Sequence, residues 1–152
     1  MRSTASPQDR VASRLDKETL PGCWLYTGSV QFGYGVVSDR ANGSTGRKAH
    51  RVAYEMWVGP IPAGVTVDHE CHNVAFNLGE CEGGECLHRR CCNPDHLVLR
   101  TQRDNTLRGN SPSAINARKT GCPQGHLYDE ANTYLHDGHR YCRQCIRERR
   151  SK

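Results

Sequence analysis

Three stretches decide the fold: VDHECHN at residues 67–73, CCNPDHLVLR at 91–100 and TQRDNTLRGN at 101–110. Val65–Asp68 reads as a short strand and His96–Arg100 as a second. Thr101 is placed to cap a short helix over QRDNTLR that Gly109 ends. Strand, loop, strand, helix is the order of a compact ββα unit. Asp68 and His69 then stand together near a strand end, and the helix can bring the Asn105 amide oxygen toward them.

Such a set suits phosphodiester hydrolysis. A neutral imidazole can take a proton from water near neutral pH. Oxygen donors from Asp and Asn suit a hard cation such as Mg²⁺, which can stabilise charge growing on a phosphate. Cysteines and histidines suit structural zinc instead. D-H-x-C-H-N, then C-x-N-P-x-H-L, then N-x-x-R-G resembles the HNH, or His-Me finger, endonucleases. It is most similar to their zinc-bound branch, the His-Cys box homing enzymes and phage HNH proteins. The upstream GCWLYTG, FGYG and AHRVAYE fit the same branch, so the likeness covers roughly residues 21–110.

The resemblance implies a DNA-cutting enzyme with His69 as general base and Asp68 and Asn105 as ligands of one catalytic divalent cation. Arg51, in the AHR element, becomes a phosphate contact, since a guanidinium can clamp phosphate oxygens. The last His of the family name has no counterpart in TQRDNTLRGN, which leaves the third contact to metal or phosphate open. The alternative reading is a zinc-held module that binds DNA without cutting it.

In the resembled family a structural zinc takes one upstream Cys, one Cys two residues past the base, and a C-x4-H pair. Here those are Cys23, Cys71, Cys91 and His96, with Cys92 competing for the place of Cys91. A second site is legible from spacing alone. CPQGH at 122–126 and CRQC at 142–145 frame fifteen residues, 127–141, that can form a hairpin turning near Asp137-Gly138. Cys122, His126, Cys142 and Cys145 are its expected zinc ligands, in a zinc-ribbon or treble-clef-like unit. A third set, Cys81, Cys86, His88 and Cys92 with His72 as an alternative, either binds a further zinc or is a flexible thiol loop.

The rest of the sequence supports this α+β reading. Only 36% of the 152 residues are hydrophobic, nine Cys included, so metals must supply part of the cohesion. No apolar run is long enough to span a membrane, and the N-terminus lacks a secretory signal. The cysteines are therefore expected in a reducing cytoplasm (that of a bacterial host, were the gene a phage's), binding metal rather than pairing. The net charge of +5 leans toward a polyanion, here double-stranded DNA.

Residues 1–20 read as an N-terminal arm, with a short helix in DRVASRLDKETL. A β-hairpin or two short strands follow over 23–37, then a loop over 38–47, then a helix over AHRVAYEMWVG stopped by Gly59-Pro60. Residues 74–90 read as an irregular insertion and 111–121 as a linker; 122–152 form the C-terminal unit with a basic tail. Arg100, Arg103 and Arg108 near the proposed site, and Arg143 and Arg147 in the tail, are candidate DNA contacts. A homodimer would set two such sites on one duplex; a single site would nick.

Overall fold

The computed structural model describes residues 5–39, 44–81, 86–109 and 111–151. The chain divides into two compact units, Met1–Arg108 and Gly109–Lys152. Both mix short helices with small antiparallel sheets, an α+β architecture. Among the described residues no helix is long and apolar enough to cross a membrane.

The first unit opens with α1, Pro7–Ala12, fixed by a reciprocal capping box between Ser6 and Asp9 and by Pro7 at its start. The chain then pairs β1, Leu15–Asp16, with β2, Leu25–Tyr26. This stretch, expected as an arm, is thus part of the first unit. Val11 has no solvent exposure and lies in one core with Tyr26, Val37, Ala49, Val52, Ala53, Val67, Cys92 and Leu97.

Strands β3, Val30–Gln31, and β4, Tyr34–Asp39, form the expected hairpin. Phe32 and Gly33 both take positive φ at its turn, the conformation that suits a two-residue hairpin. Gly35 answers a close approach: a Cβ there would stand 2.6 Å from the Tyr26 ring. Strand β5, Ser44–Lys48, pairs with β4, so the expected loop over 38–47 is largely strand on both sides of the undescribed residues 40–43. Buried Asp39 is matched by Arg47 at 3.3 Å, and Arg47 also pairs with Glu55.

Helix α2, Ala49–Trp57, buries Ala49, His50, Val52 and Ala53 along one face. Strand β6, Val65–His69, pairs with β7, Leu97–Thr101, in a register that sets His69 opposite Leu97. Helix α4, Gln102–Arg108, follows β7 directly and packs against both strands. Thr101 Oγ1 accepts from the Asp104 amide at 3.1 Å, the cap expected from sequence.

Between the paired strands lie α3, Glu70–Asn77, and 3-10 turns at Leu87–Arg90 and Pro94–His96. The segment expected to be irregular therefore begins as helix, while its residues 82–85 lie outside the described residues.

In the second unit the expected linker is mostly helix. Helix α5, Pro112–Arg118, is capped by Ser111 and buries Ala114. Strands β8, Thr133–His136, and β9, His139–Cys142, turn at Asp137-Gly138 as expected. Helix α6, Arg143–Arg150, then carries the basic tail, of which Lys152 lies outside the described residues.

Val11 distinguishes a packed N-terminal helix from a dispensable arm. Val11→Ala should cost about 2 kcal/mol, from reduced burial and an incompletely closed cavity. Thermal unfolding followed by circular dichroism should show a lowered midpoint; an unchanged midpoint would return α1 to the status of an arm.

Candidate active site and metal centres

Side chains alternate faces along a strand, so Asp68 and His69 leave opposite sides of β6. His69 shares the face of Val67 and turns inward, with only 3% exposure. Its ring meets His50 of α2 edge-on at 4.5 Å and lies 6.0 Å from Tyr34. Its Nε2 stands 3.0 Å from the carbonyl oxygen of Cys91. A carbonyl only accepts, so Nε2 carries the hydrogen and Nδ1 keeps the lone pair. Burial pushes the imidazole pKa down to about 4, which leaves the ring neutral near pH 7. Burial, and then the neighbouring His69, likewise holds His50 well below its ordinary value.

Asp68 turns the other way. Its Oδ2 accepts from Asn73 Nδ2 at 2.7 Å and from Arg100 Nε at 3.1 Å. Among the described residues Oδ1 takes no hydrogen bond. Arg100 reaches on to Glu70 at 2.5 Å, and Arg108 of α4 meets the other Glu70 oxygen at 2.7 Å. Asn105, three residues before Arg108, shares its face of α4 and therefore the Asp68 side of the hairpin. It is half-buried and, among the described residues, makes no hydrogen bond with Asp68 or His69. The open Asp68 oxygen and the Asn105 amide are each oxygen donors of the hard type that suits Mg²⁺, and among the described residues no contact joins them.

Arg100 and Arg108, expected on DNA, are thus engaged with acids, whereas Arg103 is exposed. Arg51 lies half-buried on α2, next to His50. Sequence reading passed over His50 and Asn73. His50 Nδ1 is buried without a hydrogen-bond partner among the described residues. The signal was available, since His50 stands in the AHR element and belongs to the buried face of α2.

Two Cys/His tetrads assemble as expected: Cys23, Cys71, Cys91 and His96, and Cys122, His126, Cys142 and Cys145. Around tetrahedral zinc, ligand atoms should stand about 3.5–3.8 Å apart. In the first tetrad Cys23 and Cys91 Sγ both lie 3.6 Å from His96 Nδ1. In the second, Cys122 to Cys145 is 3.6 Å, and His126 Nδ1 lies 3.3 Å from Cys145 and 3.6 Å from Cys142. Both groups fit zinc.

Backbone contacts gather the first tetrad. Leu25 bridges Cys91, the Cys92 amide donates to the Trp24 carbonyl, and Asn93 Nδ2 donates to the Gly22 carbonyl at 2.7 Å. Hydrogen bonds from Cys23 and then Cys71 hold the Cys91 thiol well below its ordinary value, toward the thiolate that zinc requires.

In the second tetrad Asn132 is the organiser. It donates to the Leu127 carbonyl and to Cys142 Sγ, and it accepts from the Gln144 amide. Against the opposing effect of burial, the Cys145 amide and then Asn132 draw the Cys142 thiol down to about 6.

The third expected set is only partly gathered. His72, Cys81 and Cys86 cluster, and Cys81 and Cys86 are joined as a disulfide, contrary to the expectation that the thiols would not pair. Cys92 is not among them. It is fully buried in the core, with its Sγ directed at the Arg90 carbonyl, and it belongs to neither tetrad. Strand alternation explains this, since neighbours Cys91 and Cys92 must point to opposite sides of an extended segment.

Residues 47–75 match the HNH endonuclease family, a span that holds Arg51, Asp68, His69 and Cys71 and ends before Asn105. An uncharacterized gene 5.3 protein of Enterobacteria phage T3 is 32% identical over 79 residues, or 52% of this chain. The match spans 63% of that relative's length. No solved structure gives a significant match.

The Asn132 contacts predict a specific loss on substitution. Asn132→Ala should weaken zinc binding at the second tetrad about 10–100-fold, the usual cost of removing a partner of a metal ligand. Competition against a chromophoric chelator should show one weakened site and one unchanged. Equal affinity at both sites would remove Asn132 from that role.

Proposed function

We propose that this chain, which carries the HNH endonuclease signature in residues 47–75, is a metal-dependent endonuclease hydrolysing DNA phosphodiester bonds. The observation that carries the reading is the fixed orientation of His69. With Nε2–H tied to the Cys91 carbonyl, Nδ1 is the one nitrogen able to accept a proton from water. On this reading β6, β7 and α4 form a ββα-metal unit, and Asp68 Oδ1 with the Asn105 amide oxygen would hold the cation. A divalent cation bound there supplies Lewis-acid stabilisation of charge on the phosphate and the leaving oxygen. Because Asp68 and His69 leave opposite faces at the end of β6, the water that His69 would deprotonate has to lie beyond the strand end, where both side chains can reach it. Arg51 would steady a phosphate oxygen, and the zinc tetrad around Cys91 would keep the base in place.

DNA would be held chiefly through phosphates. Helix α6 offers Arg147, Arg149 and Arg150, and Arg143 lies over the Tyr134 ring while donating to the Thr133 carbonyl. This second unit, with a zinc turn, a hairpin and a helix that begins at a ligand pair, fits a treble-clef-like module. One observation favours a different reading, a zinc-held DNA-binding module without cleavage. Asp68 is already paired with Arg100 and Asn73, so a cation at the site must coexist with Arg100 or displace it.

Plasmid relaxation separates the two readings. With Mg²⁺ the full chain should nick or linearise supercoiled DNA, and His69→Ala should slow this at least about 100-fold with circular dichroism unchanged. Retarded plasmid without any nicking, equal for wild type and His69→Ala, would sustain the binding module instead. The tail makes a separate claim. Arg147→Ala/Arg149→Ala/Arg150→Ala should weaken binding alike on unrelated sequences. It should also flatten the log K against log salt slope by about 0.9 for each phosphate no longer neutralised. A sequence-selective loss would contradict it.

A further inference from the structure

Between Cys71 and Cys91 of the first tetrad lies another knot of sulfur and imidazole. The ligand atoms of His72, Cys81 and Cys86 all fall within 4.8 Å of one another. His72 Nδ1 stands 3.4 Å from Cys81 Sγ, and His88 Nδ1 stands 3.3 Å from Cys86 Sγ. Each sulfur of the pair therefore has its own imidazole nitrogen. These spacings match the nitrogen–sulfur edges of the two tetrads, 3.3–3.6 Å. A disulfide has no need of an imidazole at each sulfur, since its sulfurs accept hydrogen bonds only weakly. Two thiolates and two neutral imidazoles are a complete zinc ligand set.

We propose that in the reduced chain His72, Cys81 and Cys86 bind a zinc ion, with His88 as the fourth ligand, and that the Cys81–Cys86 disulfide is the metal-free oxidised state of the same site. The two states interconvert with balanced chemistry. A thiol reductant gives two electrons and two protons to the disulfide and becomes a disulfide itself. Zinc then displaces the two thiol protons. In reverse, a small-molecule disulfide takes two electrons from the thiolates as the Cys81–Cys86 bond forms and the zinc leaves. His88 lies outside the compact three, and a change of side-chain rotamer brings its ring to the ion.

The site has a structural consequence. His72 follows Cys71 on α3, the helix that starts directly after His69, and the Cys91 amide donates to the His88 carbonyl at 3.1 Å. A metal here ties α3 to the turn that leads into Cys91, whose carbonyl orients His69. Binding through His72 Nδ1 also leaves a hydrogen on Nε2, which then repels the Arg89 Nε–H now 3.5 Å away. Loading thus releases the Arg89 guanidinium from His72 and leaves it over the Tyr34 ring. The bearing of this on cleavage rests on the nuclease reading; the metal site itself does not.

Metal stoichiometry tests the proposal without DNA. The full chain, reduced with a phosphine, loaded with zinc and desalted, should show three zinc ions by native mass spectrometry, one for each group. Cys81→Ser/Cys86→Ser should show two. Two zincs in the wild type, or three in the variant, would overturn the site. Should the variant not fold, maleimide footprinting of the wild type decides: Cys81 and Cys86 should resist alkylation until a chelator is added. Their alkylation at full zinc loading would sink the proposal. Without reductant and with limiting zinc, peptide mapping should recover the linked Cys81–Cys86 pair; two free thiols there would refute the oxidised state.

Discussion

The hydrogen bond from His69 Nε2 to the Cys91 carbonyl is the contact on which the geometry of the proposed site depends. One residue serves two purposes through two groups. The sulfur of Cys91 sits in the zinc tetrad, and its carbonyl fixes the tautomer and direction of His69. The ring can then rotate little without disturbing a backbone that is itself pinned by Leu25, Trp24 and the metal ligands. A small chain with few large apolar side chains cannot hold a catalytic geometry by packing alone. Zinc held by the first tetrad would give such rigidity, because its bonds are short, directional and made by groups already gathered.

This coupling also explains the crowding around His69. Val67, Leu97 and Cys92 belong to the core, and His50 closes over the ring from α2. The dry surroundings keep the imidazole neutral and leave His50 Nδ1 unmatched among the described residues. An unpartnered buried nitrogen costs stability, roughly 1–3 kcal/mol.

Much of this was legible in the sequence, and what was not has identifiable physical causes. The paired strands around 65–69 and 97–101, the capped helix after them and the second Cys/His tetrad follow from local signals (β-branched runs, a Thr cap and close ligand pairs), whereas the first tetrad follows from the family resemblance. The core role of α1 was hidden because Val11 and Leu15, read as one side of a short helix, are too few to mark a buried face; the helix ends at Ala12 and Leu15 falls in β1. Helix α3 was hidden because Glu70–Asn77 has little amphipathic pattern; it buries Ala75 and sets Cys71 in the first tetrad. The spacing to Asn93-Pro94 and His96 favours Cys91 over Cys92, and strand alternation gives the physical reason that the tetrad takes it. Asn105 remains the least determined member of the proposed site, since its place follows from the helix face it shares with Arg108 rather than from a contact of its own.

The charges on the other face of β6 bear on the cation site proposed at Asp68. Asp68 at 8% exposure would be costly as an isolated carboxylate, so Arg100 and Asn73 satisfy one of its oxygens. Glu70 then takes up the remaining capacity of Arg100 and is answered by Arg108 from α4. The chain Asp68–Arg100–Glu70–Arg108 is balanced by itself, two acids against two bases, and it clamps α4 to the strand pair. Because both contacts fall on Oδ2, the second oxygen of Asp68 is left for a ligand that the network does not supply. A cation there would meet a carboxylate already held in position, and Arg100 could turn toward a phosphate without leaving Glu70 unpaired, since Arg108 remains on it. The same arginine can thus be a structural counter-ion in the free protein and a contact for a polyanion once that partner is present.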